Sequence, residues 1–208
     1  MKALAFAGIT GVGKSTLTNL VRKRIPDLGF DSWITFSSFY TQNMVKYKKN
    51  ISKTNEENYL DIVGDHFDIL KYLDKLENVP DQLREIGVLY EEFLFNAIFE
   101  YNLEPDYYKE FEQKYVDLGG RCIFLKIDED QIMYRTIKST RIYRNEKWLS
   151  YQKSFQKTDE ELEAMYISRQ RIMERKINES KINSLIINTT EMKWKEYESI
   201  ITDFWSGE

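Results

Sequence analysis

The residues whose types and spacing point most directly to chemistry are Gly8-Ile9-Thr10-Gly11-Val12-Gly13-Lys14-Ser15-Thr16. They satisfy the pattern G-x-x-x-x-G-K-[ST], in which glycines let successive backbone amides turn inward and let phosphate oxygens approach with no side chain in the way. Lys14 supplies a cation for β- and γ-phosphates, and the Ser15 hydroxyl supplies a ligand for magnesium. A helix beginning at Lys14 or Ser15 adds unsatisfied N–H groups and the positive end of its dipole. The surroundings suit the motif, with the apolar run Lys2 to Ala7 before it and an amphipathic stretch after it. A glycine-rich turn that binds nothing is the bland alternative, but a chance match somewhere in the chain has odds on the order of one in a hundred. Nucleoside triphosphate binding by Gly8, Thr10, Gly11, Val12, Gly13, Lys14, Ser15 and Thr16 is the inference drawn.

Magnesium in such a loop is normally also held by a carboxylate at the end of a neighbouring strand. The run Ile86-Gly87-Val88-Leu89-Tyr90 delivers Glu91 and Glu92 to such a place. Glu91 directly follows the apolar run and is the better candidate for the metal ligand, with either Glu91 or Glu92 available as base and the choice between the pair open, although acidic residues that merely open a helix would look the same.

A second feature is basic. From Arg135 to Lys157 the chain carries Arg135, Lys138, Arg141, Arg144, Lys147, Lys153 and Lys157 against the single acid Glu146. The first four recur every third residue, which on a continuous helix forms a slowly drifting ridge able to face one anionic target such as a triphosphate. A solvated basic face is the alternative. Trp148 and Tyr151 read as core contacts or as the packing of a lid hinge.

The elements that must position these groups follow from hydrophobic patterning. Short apolar runs at Lys2 to Ala7, Ser32 to Ser37, Ile86 to Tyr90, Arg121 to Lys126 and Ser184 to Asn188 alternate with longer amphipathic segments, as in a parallel sheet covered on both faces. The first helix should stop before Pro26. Phe39 to Leu76 has the spacing of one or two helices, and Phe93 to Leu118 is helix-like but broken near Pro105. Thr158 and Glu161 have capping-box spacing ahead of the apolar stripe Leu162, Met165, Tyr166, Ile172, Met173 and Ile177.

Composition bounds the rest. The 208 residues suit one domain with one core. A net charge of −4 provides no general field for nucleic acid, so broad nucleic-acid binding is disfavoured. No run approaches a membrane span. The one cysteine, Cys122, lies in an apolar run and reads as a buried hydrophobe, which together with the lack of a signal sequence makes the cytoplasm the expected location. Assembly stays open, a homodimer included.

In order of elements these features resemble the nucleoside and nucleotide kinase group of P-loop proteins, including thymidylate kinases and deoxynucleoside kinases, over nearly the whole chain. The resemblance implies an α/β, three-layer P-loop NTPase fold with a five-stranded parallel sheet, a helical acceptor region at about 39–84 and a helical lid at about 135–157. It also implies ATP with Mg2+ and phosphoryl transfer to a small acceptor, a nucleoside or nucleotide. The lid arginines are matched here by Arg141 and Arg144, and the loop bordering adenine by Ile186-Ile187-Asn188-Thr189-Thr190, with Asn188 and Thr189 as nucleotide contacts.

The chain departs from the group after the third strand, where Glu91-Glu92-Phe93 stands in place of an acid followed by arginine. Between Asp31 and Tyr115 the only arginine is Arg84, at a strand's start rather than its carboxyl end, which favours an uncharged hydroxyl acceptor. Lys46, Lys48 and Lys49 or the lid arginines keep a monophosphate acceptor open. The same segment holds 17 of the chain's 30 aromatics; Phe36, Phe39, Tyr40, Phe67 and Phe93 offer a stacking surface or simply core. Asp61, Asp65 and Asp68 share a helical face, with His66 beside them. The competing function is a triphosphate-binding switch or regulatory NTPase without a small-molecule acceptor, but the guanine-specifying N-K-x-D motif is absent.

Overall fold

The computed structural model describes residues 2–29, 32–36, 65, 68, 69, 71, 72, 75, 86–90, 105–144 and 146–207. Glu91, Glu92, Arg84, His66 and most of the acceptor segment expected at 39–84 lie outside the described residues. Asp65 and Asp68 are helical and exposed.

Five strands, β1 (Lys2–Ala7), β2 (Ser32–Phe36), β3 (Ile86–Tyr90), β4 (Arg121–Lys126) and β5 (Asn183–Asn188), form one sheet in the order β2-β3-β1-β4-β5, every pair parallel. The strands are continuous apolar runs because they sit between covering layers: Ala3 through Ala7, Val88 through Tyr90 and Cys122 through Leu125 are all buried. Cys122 is part of this core, and burial pushes its thiol pKa well above the usual range, so it is a small hydrophobe and not a nucleophile. β5 starts one residue before the expected Ser184, because Asn183 completes the pairing with Arg121.

Helix α1 (Lys14–Arg24) buries Leu17, Thr18 and Val21, and its last turn collects Arg22, Lys23 and Arg24, where positive charge complements the dipole. It gives way to a tighter turn at Ile25–Leu28, as Pro26 demands. The segment after β3 contributes α2 (Pro105–Asp117), so the helix begins at the proline that the sequence marked as a break. After β4 come a turn at Glu129–Gln131, a widened π-helical turn at Met133–Lys138, α3 (Ser139–Tyr143) and α4 (Glu146–Ser154). Helix α5 (Asp159–Glu179) follows, then α6 (Trp194–Ser206) after β5.

Two devices fix these helices. In α5, Leu162, Tyr166, Met173 and Ile177 are buried as the stripe requires, and buried Gln170 pairs its amide with both backbone groups of Ile127 at 3.1 and 2.8 Å. Helix α6 packs against α1, and the Arg121 guanidinium, at the start of β4, donates to the Phe204 and Trp205 carbonyls of its last turn. No described helix is long and apolar enough to cross a membrane.

The order of strands decides where a ligand fits. The chain leaves β1 for the edge strand β2, returns inward through β3 beside β1, and then crosses to β4 and β5 on the other side, so the crevice at the carboxyl end of β1 is the topological switch point. The glycine-rich segment leaves β1 there.

Thr158 caps α5 reciprocally, its hydroxyl accepting from the Glu161 amide at 3.2 Å while the Glu161 carboxylate accepts from the Thr158 amide at 2.8 Å. Thr158→Ala should lower stability by about 1 kcal/mol. Urea denaturation checks this: the midpoint should fall with the slope unchanged, and an unmoved midpoint would show the cap to be idle.

Candidate nucleotide-binding site

Backbone carbonyls explain the shape of the loop between β1 and α1. The Gly8 and Ile9 carbonyls accept from the Lys14 ammonium at 2.7 and 3.0 Å. The Thr10 carbonyl accepts from the Thr136 hydroxyl at 2.8 Å, and the Gly11 carbonyl from Arg135 Nη2 at 2.9 Å. The Val12 carbonyl accepts from the Thr189 hydroxyl at 2.8 Å, and the Gly13 carbonyl from the Leu17 amide at 2.9 Å, as the first bond of α1. Every carbonyl from Gly8 to Gly13 is therefore engaged. A trans peptide unit points its N–H opposite to its C=O, so holding the carbonyls against the protein body turns the intervening amides toward the other side, a concave nest suited to anions.

Packing behind the loop is as restrictive. A Cβ on Gly11, whose φ is +86°, would lie 2.6 Å from the Arg135 carbonyl, and one on Gly13, with φ of +98°, would lie 2.6 Å from the Trp194 ring. These glycines admit the π-helical turn and α6 on the side away from the ligand, in addition to the open approach their sequence pattern implied.

Arg135 joins the pieces. Besides its bond to the Gly11 carbonyl, it donates to the Thr189 carbonyl at 2.6 Å and lies 5.8 Å from the Trp194 ring centre. Burial pulls its pKa down from the ordinary arginine value, yet a guanidinium keeps its charge in proteins. Its positive charge therefore sits directly behind the anion nest.

The expected ridge of basic residues does not form. A π-helical turn adds a residue to each turn, so positions three apart no longer share a face. Arg135 turns inward to the loop. Arg141 lies a third exposed and forks onto Asp159 at 2.9 and 2.6 Å, with its Nε on Gln152 at 3.0 Å. This guanidinium holds the Asp159 carboxyl below its usual pKa. Arg144 is exposed and stacks 4.4 Å over Trp148, whose ring meets Tyr151 at 5.0 Å.

Among the other expected residues, Thr189 is fully buried and tethers the loop, while Asn188 bonds Asp128 at 2.7 Å and the Thr190 amide at 3.0 Å. Ser15 and Thr16 are exposed on the first turn of α1. Phe36 stacks on Tyr90 with centroids 4.9 Å apart, both buried, so it belongs to the core and not to an open stacking surface. Among the described residues no cluster of His, Cys, Asp and Glu could hold a metal by itself. The nest, Lys14 and exposed Ser15 suit a triphosphate carrying its own magnesium. Arg135, Thr136, Gln152 and Trp194 are the residues of the network behind the loop that sequence reasoning missed; only Arg135 carried a signal, as a member of the basic run.

No family model and no curated protein matches the sequence. Solved structures do. YorR protein from Bacillus subtilis, in complex with phosphorylated GDP, aligns over 97% of this chain and 94% of its own at 15% identity and a TM-score of 0.61. The fold is the P-loop NTPase fold. The protein APE1195 also matches, at 11% identity and a TM-score of 0.57, over 99% of this chain and 96% of its own. A deoxyadenosine kinase from M. mycoides with bound dATP is also among the matches, at 13% identity and a TM-score of 0.47, over 97% of this chain and 98% of its own. The P-loop NTPase fold places its phosphate loop after the first strand, where Gly8 to Ser15 stand here.

Gly29 provides an internal control for the loop glycines, since it shares a positive φ of +80° but has no neighbouring atom within 4 Å of where a Cβ would stand. Gly29→Ala should cost about 1–2 kcal/mol from backbone strain alone. Gly11→Ala should cost more and also weaken binding of a non-hydrolysable ATP analogue, read by chemical denaturation and titration calorimetry. Equal losses in the two variants, with binding intact, would refute the close approach of Arg135.

Proposed function

We propose that the protein is an ATP-dependent kinase that transfers the γ-phosphoryl group to a hydroxyl of a small acceptor, a nucleoside or nucleotide-like molecule. The observation that carries this reading is the loop from Gly8 to Gly13, whose carbonyls are engaged by Lys14, Thr136, Arg135 and Thr189 so that its amides can form an anion nest. Support comes also from the helical segment after β4, which brings arginines close in sequence to the groups that pin the loop.

In this scheme the loop amides and Lys14 bind the β- and γ-phosphates. Ser15 and Glu91 would hold magnesium, which when bound neutralises charge between those phosphates. The acceptor oxygen forms a bond to the γ-phosphorus as the bond to the β–γ bridging oxygen breaks. ADP departs, and the hydroxyl proton passes to Glu91 or to water. Arg141 and Arg144 stabilise the charge spreading over the transferring group, which requires Arg141 to exchange Asp159 for phosphate oxygens. Asn188 borders the nucleotide, and buried Thr189 acts through the loop it tethers. The lone buried cysteine suits a cytoplasmic setting.

The test is nucleotide turnover with and without a panel of nucleosides, nucleoside monophosphates and other hydroxyl compounds. A kinase shows strong acceptor dependence that Lys14→Ala abolishes; turnover indifferent to every acceptor would make the protein a regulatory NTPase instead. Arg141→Ala should lower kcat at least tenfold with a smaller change in ATP affinity, and the reverse split would assign that arginine to ground-state binding.

A further inference from the structure

One buried side chain joins the phosphate loop to the segment bearing the proposed lid arginine. The Thr136 hydroxyl holds the Thr10 carbonyl of the loop at 2.8 Å. The Thr136 carbonyl, in turn, accepts from two side chains, the Thr140 hydroxyl at 2.7 Å and Gln152 Nε2 at 3.2 Å. Gln152, only 1% exposed, also donates to the Thr140 hydroxyl at 3.0 Å. Its remaining atom, Oε1, accepts from Arg141 Nε at 3.0 Å, and the far edge of that guanidinium meets Asp159. The result is a continuous chain of hydrogen bonds from Thr10 in the loop, through Thr136 and Gln152, to Arg141 and the first turn of α5.

The two ends of Gln152 have different reasons to exist. Its amide nitrogen meets the need of buried acceptors, which is a folding requirement. Its oxygen meets no such need on the arginine's side, because Arg141 is a third exposed and water is available to it. What the oxygen does is fix Nε, and with it the plane of a rigid fork whose Nη1 and Nη2 edge is thereby aimed. That edge now grips the two oxygens of a carboxylate, the geometry with which guanidinium also grips phosphate.

We propose that Gln152 is a positioning residue for Arg141, and that through Thr136 it makes the setting of this arginine depend on occupancy of the phosphate loop. The role assigned to Arg141 rests on the kinase reading; the coupling itself requires only triphosphate binding. Filling the nest draws the loop amides toward the ligand, the Thr10 peptide unit moves with them, and Gln152 passes the shift to the guanidinium. Lys14, at the opposite end of the loop, has no part in this chain.

Hydrogen-exchange mass spectrometry with a non-hydrolysable ATP analogue tests the coupling. In the wild type the analogue should slow exchange at least tenfold both over 14–24 and over 139–154. In Gln152→Leu it should still protect 14–24, while analogue-induced protection of 139–154 falls below threefold. A purely structural glutamine would instead raise exchange over 139–154 equally with and without analogue, leaving the ligand-induced difference intact, and that result overturns the proposal. Arg141→Leu cuts the chain at a more exposed site and should lose the same ligand-induced difference, so the test survives if Gln152→Leu does not fold. In turnover assays, Gln152→Leu should lower kcat tenfold with KM for ATP changed less than threefold, and adding Arg141→Ala should lower kcat no further. Multiplicative losses would overturn the positioning role. Analogue that fails to protect 14–24 in the wild type refutes triphosphate binding and the coupling together. Intact coupling without transfer to any acceptor removes the kinase reading and leaves the coupling established.

Discussion

The polarity of a short stretch of backbone governs this structure. Between Gly8 and Gly13 the carbonyls must face the protein if the amides are to face an anion, and a carbonyl turned into the interior needs a donor. Lys14 serves the first two, Thr136 and Arg135 the next two, Thr189 the fifth and α1 itself the last. Those donors come from the residue that follows the loop, the turn after β4 and the loop after β5. The sheet order that puts β1 between β3 and β4 brings all of them to one crevice. Because the donors are in place within the fold, a phosphate bound as proposed would find its partners already oriented, which is the condition under which fixed dipoles act most strongly on developing charge.

Arginines near such a site divide by solvation. Arg135 is buried, bonded to two carbonyls and stacked near Trp194, so its charge acts as a fixed background. Arg141 and Arg144 keep contact with solvent, and each is held by something that can be exchanged: a carboxylate in one case, an indole face in the other. Three arginines within ten positions thus differ in what they can do, through burial and not through residue type.

Features with a local cause were legible in the sequence. The loop, the strand runs, the stop before Pro26 and the Thr158 cap each follow from neighbouring residues, and the structure has all of them. Features with a distant cause were not. Thr136, Thr189 and Gln152 stand beside other polar residues with nothing to mark them out, and their meaning lies in carbonyls up to 177 positions away. The basic run was visible, but its facing was misjudged because a π-helical turn has no reliable sequence signature and overturns the helical spacing on which the ridge depended. Gly11 and Gly13 were assigned to the ligand side, since nothing in a glycine reveals that a carbonyl or an indole ring will lie behind it. Of the segments expected to hold an acceptor, most lie outside the described residues, and Phe36, described beside Tyr90, belongs to the core.

The separation in sequence between the loop and its donors has a kinetic meaning. Gly11 meets Arg135 across 124 positions and Val12 meets Thr189 across 177, so the loop cannot take this shape until both of those later segments have been made. Such long-range closure slows folding and leaves early segments exposed meanwhile. During synthesis the emerging β1 and α1 would present a glycine-rich turn with no anchors behind it. The proposed nucleotide affinity would then arrive late and all at once, when the strand ending at Asn188 docks beside β4 and Thr189 reaches Val12.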